Sequence, residues 1–297
     1  MTFPVPTPEE VQTALSLPET PAHVGTGGFK VVYRMQTASG PEAIKAVYVP
    51  PTGGEDEDAM RAQLIARAER EIDALGRCES PCLVKLGSLP PQLYSIEGHD
   101  YLIYGEEFLP GESLERWIGR VPSPSFKELL NVFRSLIDLI RVLSEADFLH
   151  RDIKPANVMD TGLTDRPYVV LDLGIAFKMH GTELTQGGSA PGTLRYMAPE
   201  LLKPGYKNVM DFRCDLYAAA LTVYVVASGC HPFAPKPEYE YATTYRILKQ
   251  RPQALAELRP DLPPTFCAII DRCIRKKPAL RYAKIDLVEK ALQEIIS

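Results

Sequence analysis

The densest concentration of chemically capable side chains is one octapeptide, His150-Arg151-Asp152-Ile153-Lys154-Pro155-Ala156-Asn157. An Asp set in such a segment can accept a proton from a hydroxyl, and an Asn close by can lend its amide oxygen to a metal ion. Twenty residues after Asp152, the apolar run Val169-Val170-Leu171 ends at Asp172-Leu173-Gly174, so a strand delivers a second carboxylate at its mouth. Near the start, Gly25-Thr26-Gly27-Gly28-Phe29-Lys30-Val31-Val32 is a glycine-rich run whose backbone amides can approach phosphate oxygens with no side chain in the way. Lys45 lies between Ile44 and Val47 in a run with the composition of a buried strand, where an ammonium needs a partner. Glu71 is the candidate, because it shares a helix face with Leu64, Ala68 and Leu75, and a lone carboxylate on such a face is costly. Taken singly, each segment has an ordinary reading: a polar loop, a strand-end turn, a hairpin, a solvated acid. Their occurrence together in one chain argues against those readings.

Together these segments resemble the protein kinase family, through H-R-D-x-K-x-x-N at 150–157, D-L-G in place of D-F-G at 172–174, the glycine loop, Ala43-Ile44-Lys45, and the closing Ala198-Pro199-Glu200. An acid that takes a hydroxyl proton beside a metal-holding amide is also what phosphoryl transfer requires. The resemblance implies an α+β, two-lobed fold with a β-rich small lobe carrying one long helix and a mainly helical large lobe. It implies ATP and two Mg²⁺ ions as cofactors and a γ-phosphoryl transfer to protein hydroxyls. By the same resemblance Asp152 orients the acceptor hydroxyl, Lys154 contacts the γ-phosphate, and Asn157 and Asp172 hold Mg²⁺. Gly25, Gly27, Gly28, Lys30, Val32 and Lys45, with Glu71 behind Lys45, serve the nucleotide phosphates, while the Glu107 carbonyl and the Leu109 N–H meet the adenine edge. Lys154 together with Thr193 resembles the Ser/Thr-specific pattern.

Besides Leu173 in D-L-G, the chain departs from the family pattern at two further places. Lys30 stands where the third glycine belongs, an arrangement similar to that of the with-no-lysine kinases, yet Lys45 is also present, so the division of labour between the two cations is open. Glu106 falls where a bulky apolar residue is usual, implying either a register one residue away or a polar back to the pocket. These departures motivate a rival reading, a pseudokinase acting as a nucleotide-binding scaffold; a small-molecule phosphotransferase is a second rival, disfavoured by the full segment from Asp172 to Glu200. Arg151 directly before Asp152 suggests a phosphate acceptor in that segment, at Thr182, Thr185 or Ser189, or else a guanidinium satisfied by backbone carbonyls. The resemblance also pairs Glu200 with Arg281 and ties Asp215 to the catalytic loop.

The elements that would position these residues follow from composition. Residues 1–22, with five prolines around a short helical pattern at 9–17, form an extension. Residues 23–109 make the small lobe, with strand-like runs at 29–36, 42–49, 84–89 and 101–108 and a long helix over 56–75 that lacks Gly and Pro. Residues 110–297 make the large lobe, with helices at 126–145, 212–228 and 265–275, and a cleft between lobes is the expected ligand site. Thirty-three basic against 38 acidic residues give a net charge of −5, which disfavours nucleic acid as a partner. Six scattered cysteines with no C-x-x-C pair read as thiols of a reducing, cytoplasmic setting, and no apolar run reaches the length of a membrane span. Protein substrates with Ser or Thr acceptors are the implied partners.

Overall fold

The computed structural model describes residues 3–173, 177–178, 194–203, 205–206, 210–235 and 239–295. The chain divides into two compact units, one holding the residues up to Arg77 together with Val84–Leu109, the other holding Cys78–Leu83 and the described residues from Pro110 onward.

The first unit is built on an antiparallel sheet in the order β1-β2-β3-β5-β4, from β1 (Ala22–Gly27), β2 (Lys30–Thr37), β3 (Gly40–Val49), β4 (Gln92–Ile96) and β5 (His99–Glu107). Side chains alternate across a pleated strand, so the register sorts the sheet into two faces. Val31, Tyr33, Met35, Ile44, Ala46, Tyr101 and Ile103 line one face and form its core with Val11 of helix α1 (Pro8–Leu15). A capping box, in which Thr7 and Glu10 satisfy each other's backbone N–H groups, starts α1. The segment ahead of β1 is thus part of this unit's packing. On the other face the pairs Lys30↔Val47, Val32↔Lys45, Val47↔Leu102 and Lys45↔Tyr104 lie side by side. Helix α2 (Glu55–Arg77), with four acids in its first turn, buries Leu64, Ala68, Glu71, Ala74 and Leu75, and packs Ala68 with Val49 and Leu102.

The run at 84–89, expected as a strand, makes only one isolated bridge, Leu86↔Glu106, and the edge strand is β4 instead. Gly87 donates to Gly105 O at 2.8 Å and Gly105 donates to Leu89 O at 2.8 Å, so the two backbones meet at glycines. A Cβ on Gly87 would lie 3.0 Å from Glu106 N and 2.5 Å from Glu42 Oε2, and the buried Glu42 carboxylate accepts from both Ser88 N and Ser88 Oγ. Irregular pairing of this kind has no period-2 signature.

The second unit is mainly helical, with α3 (Leu114–Arg120), α4 (Phe126–Glu145), α5 (Arg213–Ser228), α6 (Glu240–Lys249), α7 (Leu255–Leu258), α8 (Pro264–Cys273) and α9 (Ile285–Gln293). Helix α5 is buried from Cys214 to Ala227 on every side, the mark of a helix apolar all round, and stops at Gly229, whose φ of 67° suits a residue without Cβ. Short strands stitch the loops: β6 (Glu112–Ser113) pairs β8 (Val158–Asp160), which pairs β9 (Tyr168–Val170), while β7 (Phe148–Leu149) pairs β10 (Phe177–Lys178). Among the described residues no helix is long and apolar enough to cross a membrane. None of the six cysteines is in a disulfide.

Candidate functional site

In the first unit, the two-residue turn Gly28-Phe29 joins β1 to β2 with Gly27 opposite Lys30. Gly28 has φ of +61°, a value that glycine adopts at no steric cost. A Cβ at Gly25, Gly27 or Gly28 would meet nothing within 4 Å, so the glycines leave open backbone, as a surface that approaches phosphate must. Lys30, Val32 and Lys45 share one face of the sheet, which brings the two lysines singled out in the sequence to the same side.

Lys45 is 4% exposed and its ammonium donates to Glu71 Oε1 at 3.1 Å and to Glu106 Oε1 at 2.6 Å. The pairing of Ala43 with Glu106 and of Lys45 with Tyr104 explains the second bond: Glu106 is the diagonal cross-strand neighbour of Lys45 on the same face. Glu106 is thus polar, at a position expected to be apolar, beside a buried cation that it pairs. Glu71 and Glu106 are 3% and 2% exposed, a depth at which carboxylates must be paired. Glu107, half-buried, donates its N–H to Lys85 O at 2.9 Å and accepts from Lys85 N through its carboxylate, while Leu109 is buried at the end of this segment.

In the second unit, Asp152, Lys154 and Asn157 converge. Lys154 Nζ donates to both Asp152 carboxylate oxygens at 2.9 and 2.8 Å, and Asn157 Nδ2 donates to Asp152 O and Oδ2, each at 2.9 Å. A short 3₁₀ turn, Pro155–Asn157, makes this possible by folding the chain back within five residues. The β8–β9 ladder then sets the second carboxylate: Val158 pairs Val170 and Leu171 N donates to Asn157 O at 2.8 Å, so Asn157 and Asp172 issue from neighbouring ends of paired strands.

Two non-glycine residues here hold positive φ, Arg151 at 64° and Asp172 at 58°. Left-handed backbone is tolerated by Asp but costs roughly 1–3 kcal/mol for a residue such as Arg unless its surroundings hold it. Asp215, 1% exposed at the start of α5, does that by accepting from His150 N and Arg151 N, both at 2.8 Å. Burial pushes the Asp215 carboxyl pKa up, and the charge on His150 and the two backbone donors pull it back. Further out, Arg281 grips Glu200 with two parallel bonds of 2.6 and 2.7 Å and also donates to Arg213 O and Arg275 O. Thr182, Thr185, Ser189 and Thr193 lie outside the described residues, as does Gly174.

Asn157 and Asp172 present oxygen donors, which suit a hard divalent cation. Among the described residues no group of three or more His, Cys, Asp or Glu gathers into a metal cage. Such a sparse donor set fits an ion that completes its coordination with water and phosphate oxygens. His231 is a residue that motif reading missed. It is 9% exposed, its Nδ1 accepts from Phe233 N and Ala234 N, and its Nε2 bonds Arg195 O at 3.1 Å, just before Tyr196. Only the tertiary pairing of its loop with residues 195–196 exposes that role.

A β-rich unit with a paired lysine under a glycine hairpin, and a helical unit with an Asp-Lys-Asn cluster at the end of a strand pair, define a nucleotide-dependent phosphotransferase fold. Residues 19–294 match the family described as protein kinase domain, and the chain belongs to that family. It is similar to the serine/threonine-protein kinase pkn3 of Myxococcus xanthus, 27% identical over 282 residues, covering 92% of this chain and 49% of pkn3. It is also similar to PknH of Mycobacterium tuberculosis, named a serine/threonine-protein kinase, 29% identical over 239 residues, covering 78% of this chain and 35% of PknH. The chain thus spans half or less of the length of these curated relatives. The crystal structure of a mutant form of the Mycobacterium tuberculosis PknI kinase domain superposes with a TM-score of 0.63 at 22% identity over 93% of this chain and 94% of that one, a likeness of fold. The family implies ATP and a divalent metal ion as cofactors.

Proposed function

We propose that the chain is an ATP-dependent protein serine/threonine kinase that uses magnesium. The observation that carries this reading is the Asp152 carboxylate held by Lys154 and Asn157, with Asp172 delivered beside Asn157 by the β8–β9 ladder. Asp152 accepts the proton of a Ser or Thr hydroxyl and aims its oxygen, which is positioning and not covalent catalysis. Lys154, already at the Asp152 carboxylate, is the cation that meets the transferred phosphoryl group. Asn157 and Asp172 would hold Mg²⁺, which when bound neutralises charge on the phosphate oxygens. Lys45, oriented by Glu71 and Glu106, and Lys30 on the same sheet face supply positive charge to the other phosphates; Gly25, Gly27 and Gly28 supply open backbone, Val32 an apolar wall, and the Glu107 carbonyl and Leu109 N–H the contacts to adenine. Glu106 serves here as a partner of Lys45, so it does not argue for a scaffold without activity.

The test is Asp152→Asn, which keeps the planar shape of the carboxylate and removes the proton acceptor. Phosphoryl transfer from Mg-ATP, followed by mass spectrometry of autophosphorylated protein and of a generic Ser/Thr substrate, should fall by at least about a hundredfold, while nucleotide binding by calorimetry stays within a few-fold. Wild-type turnover in the variant would refute the role.

A further inference from the structure

The face of the first sheet opposite the lysines is covered by the chain's own beginning. Tyr101 Oη donates to Pro4 O at 3.0 Å, Tyr33 Oη donates to Pro6 O, and Val11, fully buried, enters the core between the strands. These contacts strap residues 4–15 to β2, β4 and β5, and the strap extends one aromatic residue further. The Phe3 ring stacks on Tyr48 with centroids 5.7 Å apart and planes at 25°, and lies 6.2 Å from the ring of Phe29. Tyr48 is in turn 5.8 Å from Tyr101, so Phe3 joins an aromatic row anchored in the sheet.

Phe29 is the second residue of the glycine hairpin turn, between Gly28 and Lys30. The hairpin's glycines have no side chains to pack, and the space around their Cα atoms is open. A two-stranded ribbon of that composition is weakly held by itself. Phe29 is half-buried, and its ring reaches the sheet face that the strap covers, away from Lys30 and Lys45.

From this we propose that Phe3 is a positioning residue for the glycine hairpin: by bridging the rings of Phe29 and Tyr48, the N-terminal strap sets how closely the hairpin backbone and Lys30 approach the nucleotide phosphates. The inference rests on the kinase reading for its consequence on ATP, while the clasp itself is a statement about the hairpin alone. An aromatic pair of this geometry contributes modestly, so releasing it should raise hairpin opening by between about two- and tenfold.

The experiment uses the full chain with Phe3→Ala, Phe3→Tyr, Phe29→Ala and the Phe3→Ala/Phe29→Ala double variant. Hydrogen exchange of peptides covering residues 25–30 should accelerate by about two- to tenfold in Phe3→Ala and in Phe29→Ala, return to wild-type rates in Phe3→Tyr, and accelerate no further in the double variant. The KM for ATP of Phe3→Ala should rise by a similar factor with kcat within about twofold. Val11, Pro4 and Pro6 keep their contacts in Phe3→Ala, so exchange in α1 should not change; unchanged exchange at 25–30 in Phe3→Ala, or additive effects in the double variant, would overturn the clasp. A wild-type chain with no phosphoryl transfer would instead overturn the kinase reading, and the exchange data would still decide the clasp.

Discussion

His231 should make the second unit sensitive to mild acid, and the amount follows from its surroundings. Its Nδ1 faces two N–H donors, from Phe233 at 3.1 Å and Ala234 at 3.0 Å, so the folded chain holds it as an acceptor and leaves the proton on Nε2, which donates to Arg195 O. A second proton has no acceptor to go to. Burial, first, pushes its pKa down from 6.5 to about 4, against the bond to Arg195 O, which raises it, and with smaller help from the charges of Arg195 and Lys276. The unfolded chain therefore binds this proton more readily than the folded one. The stability the neutral imidazole contributes is complete above about pH 6.5, declines as the pH falls below that, and is lost once the pH has passed about 4. Integrating between these two values gives a loss of about 2 kcal/mol from pH 7 to pH 5 and about 3 kcal/mol by pH 4. Urea unfolding of wild type and His231→Gln, followed through the single tryptophan, Trp117, which is 3% exposed in α3, reads this unit directly. The Gln amide can replace one of the imidazole's bonds to the backbone but cannot titrate, so its fixed cost shifts the curve without tilting it. Asp215 and Asp271, whose pKa values burial raises, tilt the profile in the opposite sense in both proteins and cancel in the difference. Parallel profiles for the two proteins between pH 7 and 4 would refute the assignment of a buried neutral imidazole.

Two further predictions concern scaffold contacts. Arg281→Met leaves the buried Glu200 carboxylate without its two guanidinium bonds and should cost about 3–5 kcal/mol in chemical denaturation, whereas the double change Glu200→Leu/Arg281→Met should cost clearly less because no buried charge is then unpaired. Gly111 has φ of +89° and a Cβ there would lie 1.9 Å from Asp160 O, so Gly111→Ala should displace β6 from β8 and lower stability by more than about 1 kcal/mol, seen as a fall in the thermal midpoint. An unchanged midpoint would mean the turn has another conformation in solution.

Much of this molecule is legible in its sequence, for identifiable reasons. Long helices announce themselves through local signals: α4 begins at a capping box of Ser125 and Glu128, and α2 runs through a stretch with four acids in its first turn. The chemistry of the cluster at 150–157 depends on residues within five positions of one another, so composition and spacing carry it. The run at 84–89 has the composition of a strand, yet its backbone pairs through glycines at irregular positions, which leave no alternation to detect. Glu106 looks anomalous in sequence because its partner lies 61 residues away. His231 and Phe3 carry no local signal at all.

The amino-acid order alone determined which groups could accept a proton, carry positive charge or hold a metal, and which segments would coil or extend, since those properties belong to single side chains and their near neighbours. Tertiary structure decided which of those groups are paired and in what state: Lys45 between two carboxylates, Arg151 held in left-handed backbone by Asp215 from 64 residues away, His231 kept neutral, and a glycine hairpin with Phe3 at its back. Burial and long-range register set those outcomes, because the cost of removing a charge from water and the distance to its partner exist only once the chain has folded.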